Sequence, residues 1–157
     1  VKRLDLVRAM ALSNTAARIG NRQIWEDRIS KVKSSGMKAL TEETMKRWFS
    51  NKFLESKELP KWKNMFERQP SEGYIGCSHA ISGTDFYTPT SSLRLPTIAI
   101  AGSEDGSTPP DLVRETCNLI PGSKFNLIKG VGHIPCVEAP KKYAKILSDF
   151  MKELGHV

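Results

Sequence analysis

The last third of this chain alternates short apolar runs with helix-forming segments, and this pattern limits the fold more than any other feature. Aliphatic and aromatic residues dominate 97–101 and 125–128, and helical patterns follow these runs at 110–119 and 140–154. Short strands that alternate with helices are typical of parallel sheets with both faces covered. We therefore expect an α/β fold in which parallel strands have flanking helices.

An earlier strand and a long helical insertion precede this unit. The apolar run at 6–12 predicts a strand, and helical spacing of apolar residues continues through the basic stretch that follows it. A connector rich in Thr, Ser and Pro occupies 84–95. We divide the chain into a core strand and loop (1–22), a helical insertion (23–82) and a C-terminal core (83–157).

Charge and cysteine content exclude several classes of protein. The 24 Lys and Arg residues exceed the 17 Asp and Glu residues by seven, but they are scattered and accompany no nucleic-acid-binding motif. No apolar run approaches ~18 residues, so we expect no membrane span. The cysteines Cys77, Cys117 and Cys136 are odd in number and lack C-x-x-C spacing, which argues against a disulfide framework and a zinc site. We expect a cytoplasmic protein that binds no nucleic acid, membrane or metal.

Two candidate catalytic residues directly follow strands of the C-terminal unit. Asp105 comes after the strand at 97–101, and His133 lies in a glycine turn after the strand at 125–128. Because the carboxyl ends of neighbouring parallel strands share one edge of a sheet, we expect hydrogen-bond contact between these side chains. An Asp that orients an imidazole base is the arrangement of a hydrolytic triad.

The residues alone leave other roles open for both side chains. Asp105 could cap the helix that begins near Pro109 or hold a turn with Gly106. His133 could be an ordinary residue of a glycine turn. Neither alternative is excluded by the spacing of the two residues.

A matching nucleophile is not evident. A serine nucleophile in a G-x-S-x-G elbow needs a buried strand before it and a long helix after it. The nearest segment, 76–80, places Ser78 after a poor strand and only a few residues before Gly83. We therefore do not assign Ser78, and we expect a missing N-terminal half to supply the nucleophile, since the chain begins at Val1.

The two motifs resemble the C-terminal half of α/β-hydrolases. Gly102-x-x-Asp105 with Pro109 downstream, followed by Gly132-His133 with Glu138-x-Pro140, has the order Asp before His. Segments 12–20, 73–77 and 105–110 further resemble the 3-oxoadipate enol-lactonase family. The resemblance covers essentially the whole chain.

This resemblance implies a Ser-His-Asp hydrolase that opens 3-oxoadipate enol-lactone, a small anionic substrate, without a cofactor. Residues 23–82 would be the cap over the active site. Arg18 is the first choice to bind the substrate carboxylate because its loop leaves a strand tip, whereas Arg28 and Arg47 sit on helices that could face solvent. Trp25 and Trp48 would line the pocket or, alternatively, pack inside the cap.

Other functions remain open. An esterase, a haloperoxidase or a C–C hydrolase would share the Asp and His motifs, and a non-catalytic hydrolase-like module that binds a ligand or partner would explain the missing serine. Without a nucleophile, we expect this chain alone to be inactive.

Overall fold

The computed structural model describes residues 2–156 and has a three-stranded parallel sheet at its centre. The strands, in their spatial order, are β1 Met10–Ser13, β2 Thr97–Gly102 and β3 Lys124–Ile128. Ser13 lies opposite Ile100 across one parallel pair, and Gly102 lies opposite Ile128 across the other. Every residue of the central strand β2 is buried. The predicted parallel sheet with flanking helices is confirmed.

Helices occupy most of the remaining chain. Their bounds are α1 Arg22–Ser35, α2 Thr41–Trp48, α3 Asn51–Leu54, α4 Leu59–Glu67, α5 Ser71–Ser82, α6 Tyr87–Ser91, α7 Pro110–Asn118, α8 Pro135–Glu138 and α9 Pro140–Glu153, with 3₁₀ turns at Leu4–Leu6 and Met37–Leu40. Helices α1 to α5 lie along the chain between β1 and β2, in the region that the sequence predicts to be a helical insertion.

The alternating side chains of β2 pack against a different helix on each face of the sheet. Ile98 and Ile100 point to the face covered by α9, whereas Ala99 and Ala101 point to the face covered by α7. Successive side chains of a strand point to opposite faces, so one run of apolar residues serves both layers. This arrangement fixes the carboxyl ends of β2 and β3 side by side.

The helical insertion has an apolar core of its own. Its buried members are Val32, Met37, Leu40, Met45, Phe49 and Phe66. Ile134 and Val137, which follow β3, pack against this core. The insertion therefore contacts the segment that carries His133.

The structure corrects two local predictions. The first strand begins at Met10 rather than at residue 6, because 4–6 form a 3₁₀ turn and the side chains of Leu6 and Val7 are exposed. The connector at 84–95 contains the short helix α6. The proposed division at 22/23 and 82/83 stays a prediction, although α1 begins at Arg22 and α5 ends at Ser82. Within residues 2–156, no helix is long and apolar enough to span a bilayer.

Candidate functional site

Asp105 and His133 meet at the carboxyl edge of the sheet, as the strand positions predict. The Nδ1 atom of His133 lies 2.9 Å from Oδ2 of Asp105. The Asp105 side chain is fully buried, whereas a quarter of the His133 side chain is exposed. When Nδ1–H donates to the carboxylate, Nε2 carries the lone pair, and the imidazole can accept a proton there.

The Asp105 carboxylate is saturated with hydrogen bonds. Its Oδ2 accepts from Nδ2 of Asn14 and from Oγ1 of Thr108, both at 2.9 Å, in addition to His133. Its Oδ1 accepts from the backbone N–H groups of Ser107 and Thr108 at 2.7 and 2.9 Å. Asp105 therefore holds the turn that follows it with one oxygen and orients His133 with the other.

These contacts set the charge state of Asp105. Burial by itself raises the pKa of its carboxyl group. The hydrogen bond and the charge of His133 lower it, together with the hydrogen bonds from Asn14 and from the Thr108 backbone, so the net pKa lies below the ordinary value of 3.8. Asp105 is therefore ionised at neutral pH.

Asn14 reaches Asp105 because of its unusual backbone. It directly follows β1, is buried, and has a φ of 48°. Asn is among the few non-glycine residues that adopt this left-handed region at low cost. Its N–H donates to the carbonyl of Ile100 at 2.8 Å, which fixes the residue against β2. Asn14 was not among the residues assigned from the sequence, because 91 residues separate it from Asp105.

Two glycines allow the Asp105 and His133 loops to approach each other. A Cβ atom on Gly102 would lie 2.0 Å from the carbonyl oxygen of Gly132, and one on Gly132 would lie 2.4 Å from the carbonyl oxygen of Trp48. Real Cβ contacts are essentially never this short. The glycines of both motifs are therefore needed for close backbone packing.

The end of α2 holds both loops in place. The carbonyl of Arg47 accepts from the N–H of Gly106 at 3.0 Å, and the carbonyl of Trp48 accepts from the N–H of His133 at 2.7 Å. The final carbonyls of a helix have no partner within the helix, and they carry a partial negative charge. This helix end therefore anchors the backbones of both loops.

Glu138 links the His133 loop to the helical insertion. One carboxylate oxygen accepts from the N–H of Gly132 at 2.7 Å, and the other accepts from the N–H of Ser50 at 3.2 Å and from the Ser50 hydroxyl. Glu138 belongs to the motif that the sequence singles out, but its contact with Ser50 was not predictable, because 88 residues separate the two.

The structure brings one of the three predicted substrate-binding residues to His133. The Trp48 ring stacks against the His133 ring with centroids 6.4 Å apart. The Trp48 ring also packs edge-on against the Phe66 ring, and those centroids are 5.4 Å apart. Trp25 donates from Nε1 to the carbonyl of Ile19 at 2.7 Å. Trp48 thus both contacts the candidate base and belongs to the packing of the insertion.

Arg18 faces the carboxylate of Asp85. Its Nη1 atom is 3.7 Å from Oδ2 of Asp85, and about half of each side chain is exposed. An exposed pair at this distance is weak. Substrate binding by Arg18, Trp25 and Trp48 stays a prediction.

The described residues contain no serine elbow of the expected form. Ser78 lies inside α5, is buried, and donates its hydroxyl to the carbonyl of Tyr74 at 2.8 Å. It follows no strand, in agreement with its rejection from the sequence. Over residues 2–156, no group of three or more His, Cys, Asp or Glu side chains is placed to hold a metal ion.

Solved structures identify the fold. The enol-lactonase from Burkholderia xenovorans LB400 superposes with a TM-score of 0.90 and 29% identity, over 96% of this chain and 58% of that chain. A thermophilic esterase from Thermogutta terrifontis superposes with a TM-score of 0.85 at 22% identity, over 96% of this chain and 57% of that one. The chain therefore has the fold of a C-terminal part of an α/β-hydrolase.

Curated relatives show which α/β-hydrolases the sequence resembles. Two 3-oxoadipate enol-lactonases of Acinetobacter baylyi are 28% and 27% identical, over 93% and 92% of this chain but 55% and 54% of their own lengths. The chain spans about half the length of these relatives, and no protein-family model matches it. Within the α/β-hydrolases, it resembles the 3-oxoadipate enol-lactonases.

Proposed function

We propose that the complete protein is a Ser-His-Asp hydrolase that opens a small anionic enol-lactone, 3-oxoadipate enol-lactone being the candidate substrate. The observation that carries the proposal is the contact between the buried Asp105 carboxylate and Nδ1 of His133. It leaves Nε2 as the basic nitrogen of a partly exposed ring. The resemblance to enol-lactonases supports the choice of substrate.

In this mechanism, His133 acts as the base twice. Nε2 takes the serine hydroxyl proton as the serine oxygen attacks the lactone carbonyl, and the C–O bond of the ring then breaks to release an enolate. The imidazolium gives this proton to the enolate carbon, which yields the ketone and returns His133 to its neutral form. Water then attacks the acyl-serine and gives a proton to Nε2, and the bond between the acyl carbon and the serine oxygen breaks as the imidazolium returns a proton to that oxygen, which releases the second carboxylate. Asp105 stabilises the imidazolium in both steps.

The nucleophile and the oxyanion donors would come from a polypeptide segment outside this chain. Ser78 is unsuitable because its hydroxyl is committed to the carbonyl of Tyr74 within a helix. We expect no appreciable turnover from the 157-residue chain alone. Robust lactone or ester hydrolysis by this chain, abolished by Ser78→Ala, would contradict that expectation.

In the proposed enzyme, the helical insertion is the cap, and Arg18 binds the substrate carboxylate. The ion pair with Asp85 holds the guanidinium of Arg18 near the loop that follows β1. Because both side chains are about half exposed, the pair is weak, and a substrate anion can replace Asp85 at a small cost in free energy. Trp48 would form the wall beside His133, and Trp25 would contribute to the pocket from α1.

The test is a substrate panel on the complete protein. It should hydrolyse the acidic enol-lactone much faster than p-nitrophenyl acetate, and His133→Ala and Asp105→Asn should each lower kcat by roughly 10³-fold or more. His79→Ala, which changes an exposed histidine on α5, is the matched control and should leave kcat unchanged. Preference for neutral esters would make the protein an esterase of the same fold. No hydrolysis of any member would favour a binding module.

A further inference from the structure

The side chain of Asn14 contacts both loops that carry the candidate triad residues, although Asn14 belongs to neither loop. Its Nδ2 atom donates to Oδ2 of Asp105 at 2.9 Å and to the carbonyl of Gly132 at the longer distance of 3.4 Å. Gly132 directly precedes His133 in the chain. One amide nitrogen therefore connects the acid with the loop that carries the base.

The surroundings of the Asn14 side chain determine which way its amide points. Its Oδ1 atom accepts from the hydroxyl of Ser13 at 3.0 Å, whereas both groups that face Nδ2 are acceptors. A flipped amide would place its oxygen 2.9 Å from the Asp105 carboxylate with no proton between the two atoms. Nδ2 is therefore the atom that faces Asp105, and it acts as a donor.

The backbone of Asn14 suits an asparagine in particular. The residue is 6% exposed, its N–H is bonded to β2, and its φ is 48°. Glycine and asparagine adopt this left-handed region more readily than most residues, and asparagine also provides an N–H₂ group on a short side chain. The fold therefore holds a buried amide donor in one orientation beside the candidate triad.

We propose that Asn14 is a positioning residue whose amide holds the Asp105 carboxylate and the His133 loop at a fixed separation. The inference rests on the proposed function only where it concerns turnover. An amide N–H₂ group stabilises the negative charge on Oδ2 without taking up a proton from the pair. A carboxylate that is fixed in this way keeps the proton of the neutral imidazole on Nδ1 and leaves Nε2 as the base.

Asn14→Gly removes the amide without straining the backbone, because glycine adopts a positive φ freely. NMR spectra of the ¹⁵N-labelled chain, recorded at a pH where the His133 ring is neutral, distinguish the two tautomers of the ring. The wild type should carry the proton on Nδ1. The variant should show a mixture of tautomers and a Nδ1 proton signal broadened by exchange with water, because the carboxylate is held less firmly against the ring.

Two further variants make this measurement specific. Asn64→Gly is the control for a loss of stability alone, since Asn64 is exposed on α4 and glycine weakens a helix. It should lower the urea midpoint and leave the His133 tautomer unchanged. Ser13→Ala keeps Asn14 but removes the hydrogen bond to its Oδ1 atom, so it should change the tautomer in the same direction as Asn14→Gly and by a smaller amount.

Kinetics of the complete protein test the consequence for turnover. Asn14→Gly should lower kcat about 10- to 100-fold and leave KM within about twofold, because a misplaced base slows the reaction without removing a substrate contact. In an Asp105→Asn background, the same change should lower kcat by no more than about twofold, since Asn14 acts through the carboxylate. A merely structural asparagine would lower kcat by the same factor in both backgrounds.

An unchanged His133 tautomer in Asn14→Gly, or an equal change in Asn64→Gly, would overturn the proposal, as would equal losses of kcat in the two backgrounds. If Asn14→Gly does not fold, an unchanged tautomer in Ser13→Ala would overturn it. The NMR measurement needs no substrate. A tautomer change in a protein that hydrolyses no lactone would therefore refute only the proposed reaction, whereas hydrolysis with an unchanged tautomer would refute only the role of Asn14.

Discussion

Replacing Gly102 by alanine tests whether close backbone packing creates the Asp105–His133 contact. The new Cβ atom would lie 2.0 Å from the Gly132 oxygen and 2.5 Å from the Val131 oxygen. These are backbone atoms, and real contacts hardly fall below 3.0 Å, so the two loops must separate by about 1 Å. Overpacking of this kind costs about 1–3 kcal/mol.

The same displacement should disturb the candidate site. The bond between Asp105 and His133 is 2.9 Å long, and an added separation of about 1 Å takes it beyond hydrogen-bond range. We therefore expect loss of the downfield Nδ1 proton signal of His133 in NMR spectra, even under conditions where the variant remains folded.

Gly76→Ala is the matched control, since Gly76 is exposed within α5 and its Cβ would meet no atom within 4 Å. This change should stabilise the chain by up to about 1 kcal/mol, because alanine favours the helix. With a urea m-value of about 2 kcal/mol/M, a loss of about 2 kcal/mol in Gly102→Ala moves the unfolding midpoint by about 1 M. An unchanged midpoint together with an unchanged His133 signal would refute the packing explanation.

Three further changes probe separate parts of the site. Because the folded state lowers the pKa of Asp105, the ionised carboxylate stabilises the fold above pH 3.8, the ordinary pKa of the group, and this stability is lost as the pH falls through the folded-state pKa. Asp105→Asn should therefore make the urea unfolding midpoint depend less on pH between pH 6 and pH 3. Parallel curves for the two proteins would contradict this. In the complete enzyme, Arg18→Ala should raise KM for the acidic lactone about 10- to 100-fold and leave KM for a neutral ester unchanged. The control Arg68→Ala should leave both KM values unchanged. Equal losses for both substrates would give Arg18 a structural role. Glu138→Gln places an amide N–H₂ against donors of Ser50 or Gly132 and should lower the free energy of unfolding by about 1–3 kcal/mol, whereas an unchanged urea midpoint would show that these bonds contribute little.

Local sequence patterns were sufficient to predict the parallel sheet and the two candidate catalytic residues. The run at 97–101 has apolar residues on both faces and forms the central strand, which is buried between two helical layers. The run at 125–128 forms an edge strand, in which Leu127 is exposed and Ile128 is buried. Asp105 and His133 follow those strands directly, so knowledge of the sheet edge was enough to bring them together. The first strand was misplaced because apolar composition alone does not distinguish the exposed Leu6 from a strand residue.

The supporting contacts could not be predicted in the same way, because they join distant parts of the chain. Asn14 and Asp105 are 91 residues apart, and Ser50 and Glu138 are 88 residues apart. Their side chains meet only after the helical insertion has packed against the loop that carries His133. Local spacing has no information about such pairs, whereas it does describe a residue at the end of its own strand.

The two roles considered for Asp105 are both present in the structure. As a turn residue it accepts the N–H groups of Ser107 and Thr108 on Oδ1, and this fixes the carboxylate plane. Only then is Oδ2 held where Asn14, Thr108 and His133 converge on it. A carboxylate with free rotation would lose orientation each time the imidazole changed charge. The turn is therefore the local structure that makes Asp105 suitable as a fixed partner for His133.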